Sequence, residues 1–349
     1  MNVKSLVVLA VTFAGLIAAL PASAQNAAAK ATAPKAWTLP RTLDGQPDFQ
    51  GVWSNNNATP LQRPKSLAGR AKLTDDEVAA LRRKAKEYFD TGGDAEFGDT
   101  VFEAVWSAVQ SGDSKPHKKD EKGFDGDTGD YNTAWIAERV WDNRTSLITD
   151  PADGRMPAMT EAAKQKVAAA ATGLTRKYPR GPEDRGLSER CITYGSPRIL
   201  AGYDSYYEIA QNKNWVAITS EQIHDVRMIP LDGSPHPPAA IQEWQGDPRG
   251  HWDGDTLVVD TTNYKPGAFM NSSAKLHTVE KYRRTGANVL EYEITIDDPE
   301  TWVRPWTLMI PLRATQEMMY EYACHEGNIG LAGILKGARM QEAAEAAKK

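Results

Sequence analysis

Between residues 215 and 328 the sequence is a succession of short runs rich in Val, Ile, Tyr, Trp and Thr, each closed by a tight-turn signal. Asn212-Lys213-Asn214 precedes the first run and Asp232-Gly233 ends the next. Asp253-Gly254-Asp255 joins Trp252 to Thr256, and Gly286-Ala287-Asn288 joins residues 279–285 to 289–296. β-Branched and aromatic residues between such turns specify strands. Strands at this spacing point to an antiparallel meander that closes into a barrel or folds into a sandwich. The expected fold is mainly β, an antiparallel barrel. About eight strands would enclose a lumen for one small ligand.

The chain has 349 residues, enough to bury a large core. Residues 1–24 read as a signal peptide, with Lys4 in the charged region, an apolar run over 6–20 and Ala22-Ser23-Ala24 as the cleavage site. That run is too short to span a membrane, so a periplasmic or secreted protein starting near Gln25 is expected. Residues 25–190 are expected to wrap the barrel: a leader, a Pro- and Gly-rich arm through Trp53, helices near 74–89 and 101–109, and an Ala-rich helix near 160–172. Thr74 and Glu77 form a capping box, and Leu73 with Val78 a hydrophobic staple. The barrel proper is assigned to 191–339 and a tail to 340–349. In the loop over 111–132, Asp125, Asp127 and Asp130 suggest a calcium loop, but Gly129 and Asp130 stand where that pattern needs a ligand and a glycine. A solvated turn is expected instead.

A net charge of −5 gives no basic excess for nucleic acid or a membrane surface. The two cysteines, Cys191 and Cys324, favour a disulfide in an oxidising compartment. The alternative is two buried thiols that pack as small hydrophobes. H-E-x-x-H, H-x-H, G-x-S-x-G, G-x-G-x-x-G and Walker A spacings are all missing. No cofactor is therefore expected, and a divalent metal is the weaker enzymatic alternative. The expected partner is a small molecule; oligomeric state is not legible.

Side chains alternate faces along a strand, so parity assigns the candidates. Read as one strand from Trp215, the row Val216, Ile218, Ser220, Gln222, His224, Val226 and Met228 is mostly apolar, which turns His224 inward and Asp225 and Arg227 outward. Around residue 277, His277 shares a row with Val279 and Lys281, and Glu280 one with Thr278 and Tyr282, so either His277 or Glu280 faces the lumen. Read as a last strand, residues 318–328 place Tyr322 with Cys324 and Glu321 with His325. Trp302, Arg304 and Trp306 share a row, so Arg304 is expected between two indoles, as a structural cation–π clamp or as a binding platform.

Seven motifs add a resemblance: P-R-T-x-D-G-Q-P-D-x-Q-G-V-W from Pro40, R-T-S-L-I-x-D-P-x-D-G-R-x-P from Arg144, I-H-D-x-R-x-I-P-L-D-G from Ile223, G-D-x-R-G-x-W-x-G-D-T-L-V-V from Gly246, L-H-x-V-E-x-Y from Leu276, D-P-x-T-W-x-R-P-W-T from Asp298 and Y-E-Y-A-C-H-E-G-N from Tyr320. Together they resemble a large group of secreted bacterial proteins without an assigned function. The likeness covers residues 38–339 almost continuously, with an atypical insertion near 111–130. It implies a lipocalin-like, calycin-type barrel and no particular activity.

The functional expectation is an exported enzyme, a lyase or hydrolase, acting on a small aromatic or otherwise apolar molecule by His-centred acid–base chemistry. In that reading His224 is the acid or base and His277 or Glu280 its partner. Glu321 and His325 form a further pair, while Arg304, Trp302, Tyr322, Arg227 and Asp225 hold the substrate. The alternative is a non-catalytic carrier that uses the same lumen.

Overall fold

The structure, a computed structural model, describes residues 37–89, 99–112, 139–174, 178–199, 201 and 205–348. Every described helix and strand lies in the unit from Thr38 onward. The signal-peptide and calcium-loop readings fall on residues outside the described ones.

Ten strands form one antiparallel sheet: β1 (Gly51–Ser54), β2 (Ile148–Asp150), β3 (Tyr206–Gln211), β4 (Trp215–Ser220), β5 (Val226–Pro230), β6 (Asp247–Asp253), β7 (Thr256–Thr262), β8 (His277–Gly286), β9 (Val289–Asp297) and β10 (Trp306–Thr315). Nine run in the order β5-β4-β3-β1-β10-β9-β8-β7-β6, and β2 adds to β10 beside that path. The sheet curls into a nearly closed barrel, as the turn spacing led us to expect. The turns at Asn212–Asn214, Asp253–Asp255 and Gly286–Asn288 join β3 to β4, β6 to β7 and β8 to β9.

Alternation builds the interior. Along β9, Leu290, Tyr292, Ile294 and Ile296 are buried while the residues between them are half-buried. Opposite them, β10 contributes Trp306, Leu308, Ile310 and Leu312, and β7 contributes Leu257 and Val259, all to one core. Burying each such side chain contributes roughly 1.5–3 kcal/mol. Among the described residues no backbone ladder joins β5 to β6, the two ends of the strand path. Side chains close the ring there instead. A Cβ placed on Gly250 of β6 would lie 2.7 Å from both Ile229 Cγ2 and Leu231 Cδ2, so only glycine lets the strands approach this closely.

The region before the barrel is more than a wrapping. It supplies β1, wedged between β3 and β10, and β2. Helices α1 (Asp75–Phe89) and α2 (Asp99–Ser111) have a core of their own, in which Val78, Leu81 and Ala85 meet Val101, Phe102, Val105 and Trp106. The capping box forms as expected: Thr74 Oγ1 accepts from the Glu77 backbone N–H at 3.2 Å, and Glu77 Oε2 from the Thr74 N–H at 2.8 Å. Leu73 and Val78 are buried in the same cluster. The Ala-rich helix is α3 (Glu161–Leu174).

Two strand readings need correction. Residues 215–228 are two strands, because the chain turns through Gln222–His224, with Ile223 and His224 at φ of 57° and 42°. That hairpin sets Ile218 opposite Arg227, so the inward face passes from even positions on β4 to odd positions on β5. Residues 318–328 form no strand; they run without regular structure into α4 (Ile329–Ala346), which crosses the expected tail boundary. The disulfide is formed, with Cys191 and Cys324 sulfurs 2.08 Å apart.

Candidate functional site in the barrel interior

The inward turn of Arg227 creates the main polar feature of the lumen. Arg227 Nη1 and Nη2 donate to Glu280 Oε2 and Oε1 at 2.7 and 2.6 Å, a two-pronged pair between β5 and β8. Their side chains are 8% and 0% exposed, so the pair is fully enclosed. Thr261, Tyr282 and Tyr292 surround it: Arg227 Nη2 also reaches Thr261 Oγ1 at 3.2 Å, and Glu280 Oε2 accepts from the Tyr282 and Tyr292 hydroxyls at 3.0 and 2.7 Å. The two tyrosine rings stack at 4.4 Å because Tyr282 and Tyr292 are register partners on β8 and β9.

Burial alone would raise the Glu280 carboxyl. The Arg227 charge and its hydrogen bonds, helped by Tyr292 and Tyr282, outweigh burial and hold Glu280 below the usual carboxylate range. Burial together with the Glu280 charge pushes the Tyr282 and Tyr292 hydroxyls well up, so both remain donors. Tyr264, whose hydroxyl lies 2.9 Å from Thr278 Oγ1, is pushed up to about 12 by burial.

Beside this pair lies a small cavity of about 30 Å³ that opens toward solvent. Ile209, Ile218 and Leu312 give it apolar walls, and Tyr282, Tyr292 and Arg227 line it as well. Arg198, Asp225, Gln245, Ser220 and Tyr207 add polar groups to the lining. Thr193 ties these elements together: its hydroxyl donates to Asp225 Oδ2 at 2.8 Å and accepts from Gln245 Nε2 at 3.2 Å. Burial pushes the Asp225 carboxyl up, against the pull of the Thr193 hydrogen bond and the Arg198 charge.

Four polar atoms around the cavity wall lack a protein partner among the described residues: Arg227 Nε, Ser220 Oγ, and Arg198 Nε and Nη1, all buried. An unmet buried donor costs about 1–3 kcal/mol, so four around one cavity need a chemical reason.

Of the residues singled out from sequence, Arg227, Glu280 and Asp225 are brought together here. The histidines are not. His224, expected inward, is exposed on the β4–β5 turn. His277 lies on the row opposite Glu280, and its Nε2 contacts Asp260 Oδ2 at 2.7 Å. Glu321 and His325 are exposed on irregular chain rather than facing one hollow. Arg304 is exposed and pairs with Asp150 at 2.6 Å, while Trp302 and Trp306 pack edge to face at 5.7 Å. The expected clamp between indoles is therefore absent, because the strand begins only at Trp306 and alternation does not hold over 302–306. Tyr322 reaches the cavity indirectly. Its hydroxyl lies 3.2 Å from that of Tyr194, and Arg198 stands over the Tyr194 ring at 5.3 Å.

Sequence reasoning missed Arg198, Thr193, Ser220, Gln245 and the Tyr282–Tyr292 pair. The tyrosines had a signal: counting outward from the Gly286-Ala287-Asn288 turn places them opposite one another. Arg198 and Gln245 lie outside any strand and had none. Also missed was His236, whose ring nitrogens lie 2.6 Å from Asp247 Oδ2 and 3.0 Å from Asp260 Oδ1. It joins His277 through Asp260 in a network that none of the cavity-lining residues enters.

Among the described residues, no group of three or more His, Cys, Asp or Glu side chains is placed to hold a metal ion. No described helix is long and apolar enough to cross a membrane. Comparison of the chain with protein-family models, with curated proteins and with solved structures finds no match in any of the three.

Proposed function

We propose that the protein binds a small, largely apolar organic molecule in the barrel lumen. The observation that carries this reading is the cavity itself: aliphatic walls from β3, β4 and β10, with a few convergent polar groups at one side. Ligand pockets are commonly mostly apolar, with a few polar groups that fix orientation. Histidine-centred catalysis by a lyase or hydrolase is not carried forward, since none of the described histidines lines the cavity. Among the described residues Asp225 is the one carboxylate that lines the cavity, and Thr193 holds one of its oxygens; Glu280 lies behind the lining, engaged by Arg227. Binding requires no more than the groups present.

The Cys191–Cys324 bond supports a location outside the reducing cytoplasm, in keeping with the export signal read at residues 1–24. The resemblance to secreted bacterial proteins points the same way.

Methyl chemical shifts test the reading directly. Toluene and benzyl alcohol titrated at millimolar concentration should move the methyl signals of Ile209, Ile218 and Leu312 and few others. Ile218→Phe, which fills the cavity, should abolish the effect while the protein stays folded. Shifts dispersed over the outer surface, or none at all, would overturn the proposal.

A further inference from the structure

Resting on that reading, we infer that the ligand carries a carboxylate, received by Arg198 beside Arg227 and Ser220. Donors and acceptors around the cavity do not balance. Glu280 already takes both Arg227 prongs and two tyrosine hydroxyls. The remaining donors are Arg227 Nε, Ser220 Oγ, and Arg198 Nε and Nη1, none of which has a hydrogen-bond partner among the described residues; the Tyr207 hydroxyl, which feels the Arg198 side chain, donates to the Arg198 carbonyl at 3.3 Å instead. Three of the four atoms belong to guanidinium groups, which carry donors and no acceptor. Guanidinium pairs best with a planar two-oxygen anion, and such hydrogen bonds are about twice as strong as neutral ones.

Position supports the same assignment. Arg227 is 7% exposed, and its second partner, Thr261, points from β7 rather than from the cavity lining. Arg198 is braced on the Tyr194 ring at 5.3 Å, and its charge acts on the Asp225 carboxyl. Asp225 is the competing anion at this side of the cavity. Thr193 holds one of its oxygens at 2.8 Å, and its charge opposes an incoming carboxylate. Ile209, Ile218 and Leu312 then face the uncharged body of the ligand.

Benzoate, benzamide and benzyl alcohol share one ring and differ in the group offered to the arginines. Calorimetric or methyl-shift titrations at pH 7 should rank benzoate first, at least tenfold tighter than either neutral compound. Arg198→Gln should weaken benzoate about tenfold to a hundredfold, the range expected for hydrogen bonds to a charged group, and leave benzyl alcohol unchanged. Asp225→Asn should tighten benzoate by removing the competing charge. Equal binding of benzoate and benzyl alcohol would overturn the carboxylate assignment while lumen binding stands. So would an Arg198→Gln protein that is folded by circular dichroism and binds benzoate normally. If none of the three compounds binds, the carboxylate assignment and the lumen reading fall together.

Discussion

Arg227 and Glu280 clasp each other from β5 and β8 through hydrogen bonds of 2.7 and 2.6 Å. Their strands flank β6 and β7, so the pair spans the side of the barrel where no backbone ladder joins β5 to β6. Side-chain ion pairing here takes over part of what ladder hydrogen bonds do elsewhere around the ring. The same arginine lines the cavity, which couples closure of the barrel to the shape of the site.

Removing one partner should therefore be severe. Arg227→Met leaves a carboxylate buried without its counter-charge, and breaking such a pair costs about 3–5 kcal/mol. Urea unfolding should show that loss. The double variant Arg227→Met with Glu280→Leu should recover part of it, although Tyr282 and Tyr292 then lose their acceptor. Equal stability of the single variant and the parent would contradict a closing role.

Two carboxylates should respond to pH in opposite directions. Glu280 is held below its unfolded value, so its contribution is fully present above the unfolded carboxylate range and is lost as pH falls through the folded value. Asp225 is held above its unfolded value, so its folded form is favoured by proton uptake and loses stability as pH rises through that value. Denaturation midpoints measured from pH 3 to pH 7 should show a shallower acid loss for Glu280→Gln. Asp225→Asn should be the more stable protein at pH 7.

The disulfide should matter to both stability and binding. It closes a separation of 133 residues and anchors Cys191, close in sequence to Thr193, Tyr194 and Arg198, to the segment bearing Tyr322. Loss of a native disulfide typically costs about 2–5 kcal/mol. Replacing both cysteines with alanine should lower the urea midpoint and weaken benzoate binding. An unchanged affinity would show that the 191–199 segment holds its shape unaided.

At the β5–β6 closure, Gly250→Val should lower stability by about 1–3 kcal/mol, the usual penalty for overpacking, since even a Cβ meets Ile229 and Leu231 at 2.7 Å. A thermal melt reads this directly. A neutral result would mean that β5 and β6 separate easily.

His224→Ala and His325→Ala should leave benzoate affinity within twofold of the parent, because both residues are exposed and neither lines the cavity. A tenfold loss in either variant, seen in the same titration, would return an imidazole to the site.

Much of this architecture is local in origin. The capping box at Thr74, the turns at Asp253–Asp255 and Gly286–Asn288 and the alternation of β9 depend on neighbours a few residues apart, and the sequence alone determined them. Glu280 and Tyr282 share a row for the same reason. What the chain does between Ser220 and Val226 is different. Apolar alternation continued through the break in the letters, but the backbone turns at Ile223 and His224, exchanging the faces of His224 and Arg227. One added or missing residue in a turn inverts a strand, and period-2 patterning cannot reveal it. The pairing of β1 with β3 and β10, the Arg227–Glu280 clasp and the arrival of Arg198 at the cavity join residues tens to hundreds of positions apart. Only closure of the sheet decided those, because contacts across a barrel follow from how strands stack around it and not from the spacing of residues along the chain.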